Sequence, residues 1–294
     1  MPNILTPTVE NNTLSVAAIM SQPTLIRTKI AELTEGNELL STFFTPLGAP
    51  VQGGGILHPR LSGAERYTAD DVVERAPGDE YQVVRAIDPE YRMAAVRDYG
   101  AKTSITDEEI ARGDVSALNA KVSQLTNDLV RKLNTKALAA IDEAAPATLA
   151  TANPWETFLT VGPADLITPN AQRPLADMLR AKRMFADDRL GFVPDTLLAS
   201  PADAENLGIG YGAELEQVLA AAGLSLVVNP YVSEGRAYVV QKGKAGVLGY
   251  EAPLTLDVID KRETREKLLQ VYAVPAFAVD RPQAVKVITG TVTP

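Results

Sequence analysis

The 294-residue chain has no cysteine, one histidine and one tryptophan. Without cysteine there is no disulfide framework, no thiolate nucleophile and no Cys-ligated zinc. With His58 as the sole histidine, a multi-histidine metal centre is impossible, and a Ser-His-Asp triad would have to use that residue. No run of 18 or more apolar residues occurs: the longest apolar segments, such as residues 224–228, are far too short to span a bilayer. A soluble protein is therefore expected. Residues 1–10 carry no Lys or Arg and no apolar block of secretory length, so no signal or transit peptide is expected and the chain should stay in the cytoplasm until lysis. Basic charge is also scarce. With 28 Lys and Arg against 37 Asp and Glu, the net charge is −9, opposite to the basic face of a dedicated nucleic-acid binder.

Ordinary globular material is present, with 46% hydrophobic and 22% charged residues, which excludes a wholly disordered or collagen-like chain. At about 150 residues per domain the length allows one large domain or two ordinary ones. A compact monomer of this mass would expose roughly 12,000 Å² of about 45,500 Å², burying about three quarters of its surface.

Residues 1–45 hold one helical pattern, at 24–33, where Leu25, Ile26, Lys29, Ile30 and Leu33 share a face and Gly36 follows. The remainder reads as an arm too thin to build a core. Residues 46–100 are dense in turn formers: Gly53, Gly54, Gly55, Pro59, Gly63 and Ala76-Pro77-Gly78-Asp79. Pro77-Gly78 suits the centre of a type II turn. With Val72 and Val73 before it and Tyr81, Val83 and Val84 after it, a long hairpin with poor hydrophobic backing is expected. Such a length without a core is unusual in a compact domain.

The strongest pattern comes next. Thr106-Asp107-Glu108-Glu109 is a capping box opening a short helix. Asp114 then caps a rod in which Val115, Leu118, Val122, Leu125, Leu129, Leu133 and Ala137 recur every three or four residues. Running over 114–143, it would be about 45 Å long, and Pro146 prevents continuation. A mixed α/β region follows. Helices are expected from Pro174 to about Gly191, from Ser200-Pro201 and over 213–222. Strands are expected at 196–199, 224–228, 237–240, around Leu254, Leu256 and Val258, and at 284–288, with an apolar run at 268–279. No repeat of 20 to 50 residues is visible.

Candidate chemistry is thin. The three-glycine run lacks the Lys-Ser or Lys-Thr and the preceding buried strand of a phosphate loop. Residues 242–246, Lys-Gly-Lys-Ala-Gly, open no helix and read as a plain hairpin turn. Asp70-Asp71, Asp107-Glu108-Glu109 and Asp187-Asp188 could hold a divalent cation, but their spacing fits no EF-hand, and acids at helix starts already favour the macrodipole. His58 reads as a solvated loop residue. No Ser-x-x-Lys motif occurs. The alternating charges of 260–267 are a solvated face or pair with a neighbour's charges. No catalytic residue, metal or cofactor is expected.

The layout nevertheless has a likeness. Tyr91-Arg92-Met93-Ala94-Ala95-Val96-Arg97-Asp98-Tyr99-Gly100 feeds Ile105-Thr106-Asp107-Glu108-Glu109 and the long helix. Thr196-Leu197-Leu198-Ala199-Ser200-Pro201-Ala202-Asp203, Leu226-Val227-Val228-Asn229-Pro230-Tyr231-Val232, Ala237-Tyr238-Val239-Val240 and Arg281-Pro282-Gln283-Ala284-Val285 follow. Over nearly its whole length the chain resembles the major capsid proteins of tailed bacteriophages, with the α+β Hong Kong 97-type fold. The resemblance implies an N-terminal arm (1–45), an extended loop reaching over an adjacent subunit (46–96), a peripheral domain (97–167 and 260–294) whose spine helix is 114–143, and an axial domain (168–259) near five-fold and six-fold axes. The final strands would return to the peripheral sheet.

It further implies pentamers and hexamers tiling an icosahedral shell that encloses double-stranded DNA without sequence-specific binding, and with no membrane. A separate scaffolding protein, a portal and decoration proteins would be partners, with assembly in the host cytoplasm and residence in the virion. Subunit-interface residues would include Arg66, Glu74, Arg75, Arg85, Arg92, Arg97, Glu263, Arg265 and Lys267. Some relatives crosslink a loop Lys to a distant Asn. Residues 46–100 contain no Lys and 260–267 no Asn, so no such isopeptide bond is expected. Two rivals remain: an encapsulin-type shell, which packages an enzyme, and a soluble enzyme with a carboxylate- or Ser-based site in the axial-like module.

Overall fold

The architecture was obtained as a computed structural model that describes residues 9–10, 13–14, 38–112 and 115–293. The expected helix at 24–33 and the Asp114 cap lie outside the described residues. Near the start, β1 (Val9–Glu10) pairs antiparallel with β2 (Thr13–Leu14).

Two sheets and one long helix carry the molecule. A short helix α1 (Glu38–Phe43) leads into β3 (Phe44–Pro46). The ribbon strands β4 (Gly55–Arg60) and β5 (Glu90–Ala95) pair antiparallel. After β6 (Tyr99–Thr106) come α2 (Asp107–Ala111) and the spine α3 (Val115–Glu143). The spine's 29 residues make it about 43 Å long, in keeping with the heptad-like spacing of its apolar residues. β7 (Ala147–Ala150) and α4 (Pro174–Asp187) lead to β8 (Thr196–Ala199), α5 (Pro201–Tyr211), α6 (Leu215–Ala222) and β9 (Ser225–Val228). The chain ends with β10 (Arg236–Val240), β11 (Gly246–Lys261), β12 (Glu266–Ala278) and β13 (Val285–Thr289).

The five-stranded sheet has the order β7-β13-β10-β8-β9. Its central strands are buried on both faces, which explains their unbroken apolar sequences. Alternation splits them: Leu197, Ala199, Ala237, Val239 and Ile288 face a core built with Trp155, Phe158, Met178 and Phe185. Leu198, Tyr238, Val240, Val285 and Val287 face the other way, onto α1 and the end of α3. In the four-stranded sheet, β3-β11-β12-β6, Ile105, Leu256, Leu269 and Val271 are covered by Val122, Leu129 and Leu133 of the spine.

Five expectations are corrected by these pairings. Residues 242–246 are not a hairpin turn: β10 and β11 belong to different sheets, and the segment binds α1 and β3 instead, with Gly243 and Ala245 N–H donating to Thr42 and Phe43 C=O at 2.8 and 3.0 Å. The last strand, β13, does not return to the sheet under the spine; it lies between β7 and β10, where Val285, Val287 and Ile288 find apolar cover on both faces. The end of the expected arm is core, since Leu39, Phe43 and Phe44 are buried in their own molecule. No strand forms over 67–89, because two strands without a third or a covered face are marginal in water. Finally, His58 is not a loop residue: it sits on β4, half-buried and opposite Arg92.

Candidate assembly surface

The root of the extended loop is tied to its own molecule. Leu47 and Val51 N–H donate to Leu248 and Tyr250 C=O at 2.9 Å each, and Leu61 N–H donates to Asp280 C=O at 2.9 Å. Arg60 Nη2 donates to Ala144 C=O and Gln283 Nε2 to Leu61 C=O. Gly55 allows the ribbon to close, because a Cβ there would come within 2.9 Å of the Ala94 oxygen. The three-glycine run thus shapes a turn into β4, with Gly53 and Gly54 at positive φ.

Beyond the root, cover disappears. The bonds that hold the tip are local and include Ala69 N–H to Arg85 C=O, the Pro77-Gly78 turn closed from Asp79 N–H to Ala76 C=O at 3.1 Å, and Arg85 on the Asp70 carboxylate at 3.1 and 3.2 Å. Gly78 has φ +101°, which suits the third position of the type II turn. Val72, Tyr81 and Val83 are 83, 78 and 90% exposed. The ribbon repeats the pattern: Leu57 pairs with Met93 and Pro59 with Tyr91, so Leu57, Tyr91 and Met93 share one face, and all three are exposed. Sequence reading missed this face, although alternation in Leu57-His58-Pro59 and Tyr91-Arg92-Met93 signals it.

The expected interface residues fall into two groups and a link. In or beside the tip, Arg66 ends a short 3-10 turn and lies near Gly191 of its own chain, while Glu74 is exposed. Arg75 donates to the Asp79 carbonyl at 2.5 Å and stacks 4.5 Å from the Tyr81 ring centre. Arg85 holds the Asp70 carboxyl below the usual carboxylate range through its hydrogen bonds. At the β11–β12 turn, Glu263 is exposed. Arg265, at φ +51°, faces Glu108 at 3.8 Å, and Lys267 is opposite Asp260. Arg92, paired with Glu90 at 3.2 Å, and Arg97, whose N–H donates to Pro275 C=O, lie between them along the chain. No hydrogen bond or ion pair joins the tip to the turn among the described residues.

The charges of 260–267 find partners in their own chain. Arg262 reaches Asp260 and Asp107 at 2.6 and 3.9 Å, and Lys261 reaches Glu266 at 3.2 Å. Thr264, then Lys261, lower the Glu266 carboxyl. Pairs this exposed contribute little and exchange partners readily. The acidic pairs read as possible cation sites are likewise occupied by the protein: Asp70 by Arg85, and Asp188 by the buried Lys286 at 2.5 Å. Among the described residues no group of three or more His, Asp or Glu could hold a metal ion, and no helix is long and apolar enough to cross a membrane.

The magnitude of the exposure is informative. The chain exposes 16929 Å² rather than the roughly 12,000 Å² of a compact protein of this mass. That excess is several times the ~800 Å² one partner contributes to a standard interface, so it leaves room for contact with more than one other molecule.

Comparison with known proteins agrees with this geometry. A family described as "Phage capsid protein" matches residues 90–288, about two thirds of the chain. Solved structures share the fold. A protein of Mycobacterium phage Adephagia superposes with TM-score 0.64 at 16% identity, covering 87% of this chain and 90% of its own. A virus-like particle from Pyrococcus furiosus gives 0.62 at 15%, covering 90% and 97%. A phage-related protein from Bordetella bronchiseptica gives 0.60 at 14%, covering 92% and 98%. No curated protein matches the chain in sequence. The chain belongs to the phage capsid protein family and has the Hong Kong 97-type fold of tailed-phage major capsid proteins.

Proposed function

We propose that this capsid protein forms pentamers and hexamers that tile an icosahedral shell around phage double-stranded DNA. The observation that carries the reading is the loop, rooted in its own molecule but bare from Tyr67 to Val83, with the apolar ribbon face of Leu57, Tyr91 and Met93 also uncovered. A neighbouring copy would supply the missing burial. Exposed apolar area of this extent is otherwise a liability for a separate molecule. Arg66, Glu74, Arg75, Arg85, Arg92 and Arg97 would then meet an adjacent subunit, and Glu263, Arg265 and Lys267 a second one. The net charge of −9 suits a container that encloses DNA without gripping it, since few phosphate contacts form. The role is structural, and the expected limits of arm, loop, peripheral and axial domains are kept as part of the proposal except where residues 38–46 join the core and β13 joins the five-stranded sheet. A scaffolding protein, a portal and decoration proteins would act during or after assembly in the host cytoplasm.

Deleting residues 63–85 tests it. The deleted segment makes few bonds to the body, so the subunit is expected to keep its circular dichroism while closed particles vanish from negative-stain images. Normal shells from this deletion would overturn the loop's role. The likeness to the virus-like particle favours one second reading, an encapsulin-type compartment. Particles isolated from the native source should hold DNA under the first reading and a protein cargo under the second.

A further inference from the structure

Charge is segregated along the part of the chain that builds the helical face of the five-stranded sheet. Residues 190–235 contain six carboxylates and no Lys, Arg or His, whereas 173–189 contain Arg173, Arg180, Lys182, Arg183 and Arg189 against three acids. Resting on the shell reading above, we propose that neighbouring copies within a ring are joined head-to-tail by an acidic face on α5–α6 of one subunit and a basic face on α4 of the next.

Each face has an apolar centre. Glu205 and Ile209 are one turn apart on α5 and therefore share a side of the helix; both are exposed, Ile209 at 74%. Thr160 Oγ1 donates to Gly210 C=O at 2.6 Å, which places the 85%-exposed Val161 beside that helix end. Glu214 and Glu216 follow in the 3-10 turn and in α6. None of these three carboxylates has an ion-pair partner among the described residues.

On α4, Leu179 and Arg183 are likewise one turn apart and exposed, with Arg180 between them. Arg180 is anchored by Asp177 at 3.0 Å and the Ala171 carbonyl at 2.6 Å. Arg183 has only Asp187, at 3.5 Å in a pair 80 and 66% exposed, a contact worth little.

The two helices sit side by side on one face of the sheet: α4 packs over the inner strands β13 and β10 and against α6, whereas α6 packs against the edge strand β9. Contact between two unlike patches of identical chains is heterologous and closes into a ring when the rotation permits. Copies carrying −9 each repel one another, so attraction has to be local. Oppositely charged faces provide it and also set the orientation of docking.

Charge reversal in the full-length chain is the test, with shells counted by electron microscopy and sedimentation. Glu214→Lys with Glu216→Lys, and separately Arg183→Glu, are expected to cut shell yield by about tenfold or more through like-charge contacts, with melting unchanged. Combining all three substitutions gives position 183 an unlike charge opposite positions 214 and 216 again, while Glu205 and Arg180 keep their signs, and is expected to restore part of the yield. The inference is overturned if either face variant assembles like the parent, or if the combined chain melts like the parent yet forms no shells. Should a variant fail to fold, the parent chain still decides: between about 0.05 and about 0.5 M salt the shrinking Debye length should weaken ring formation, and salt-insensitive assembly contradicts the proposal. A parent chain that forms no shells even with its scaffold would instead defeat the shell reading itself.

Discussion

Trp155 shows how much one residue can hold here. Its ring is 1% exposed, its Nε1 donates to Asp177 at 3.3 Å, and its backbone N–H donates to Thr291 C=O at 2.7 Å. It therefore clamps the connection after β7 to α4 and to the chain end. Burial pushes the Asp177 carboxyl up, while Trp155, the Ala152 backbone and Arg180 oppose that rise. Trp155→Ala is expected to cost about 3–5 kcal/mol through cavity formation, read as a lower denaturation midpoint; Trp155→Phe should recover most of the loss. The sequence marks Trp155 only as a lone aromatic, and its partner is 22 positions away. Nor does any local pattern connect Asp188 to Lys286, 98 positions apart. Such pairs come from packing.

At the scale of elements, local chemistry was the better guide. The Thr106–Glu109 box is formed in both directions: Thr106 N–H donates to Glu109 at 3.0 Å, and Glu109 N–H to Thr106 Oγ1 at 3.2 Å. Lys121 adds bonds at 3.0 and 3.1 Å, and the Thr106 backbone, then Lys121, hold the Glu109 carboxyl below its ordinary range. A depressed carboxyl contributes stability above its unfolded pKa of about 4.3 and loses it as pH falls through the lower folded value. Glu109→Gln should therefore flatten the acid limb of the melting-temperature profile below about pH 5, by a small amount because the site is exposed. An unchanged limb would remove Glu109 from the account. The spine, the Ser200 cap and the Pro174 start were legible for the same reason: each is set by residues within a turn or two. The tip strands were not, because strand formation depends on a partner that 67–89 lacks within the chain.

For the whole molecule, the absence of Lys from 46–100 and of Asn from 260–267 predicts particles held together without covalent links. Denatured particles should run as one band near 31.4 kDa, and a ladder of multiples would refute this. Composition, the capping signals, the long amphipathic rod and the unbacked loop were readable without coordinates, because each depends on neighbours along the chain. The shell-protein class itself came from the resemblance carried by segments such as 91–109 and 196–203, with which these features agree. Tertiary structure alone decided which strands share a sheet: it placed β13 between β7 and β10, drew residues 38–46 into the core, turned 242–246 into a bridge between sheets, and exposed the ribbon face of Leu57, Tyr91 and Met93. These outcomes depend on competition for a limited buried area among segments far apart in sequence, and no local pattern of residues encodes who wins.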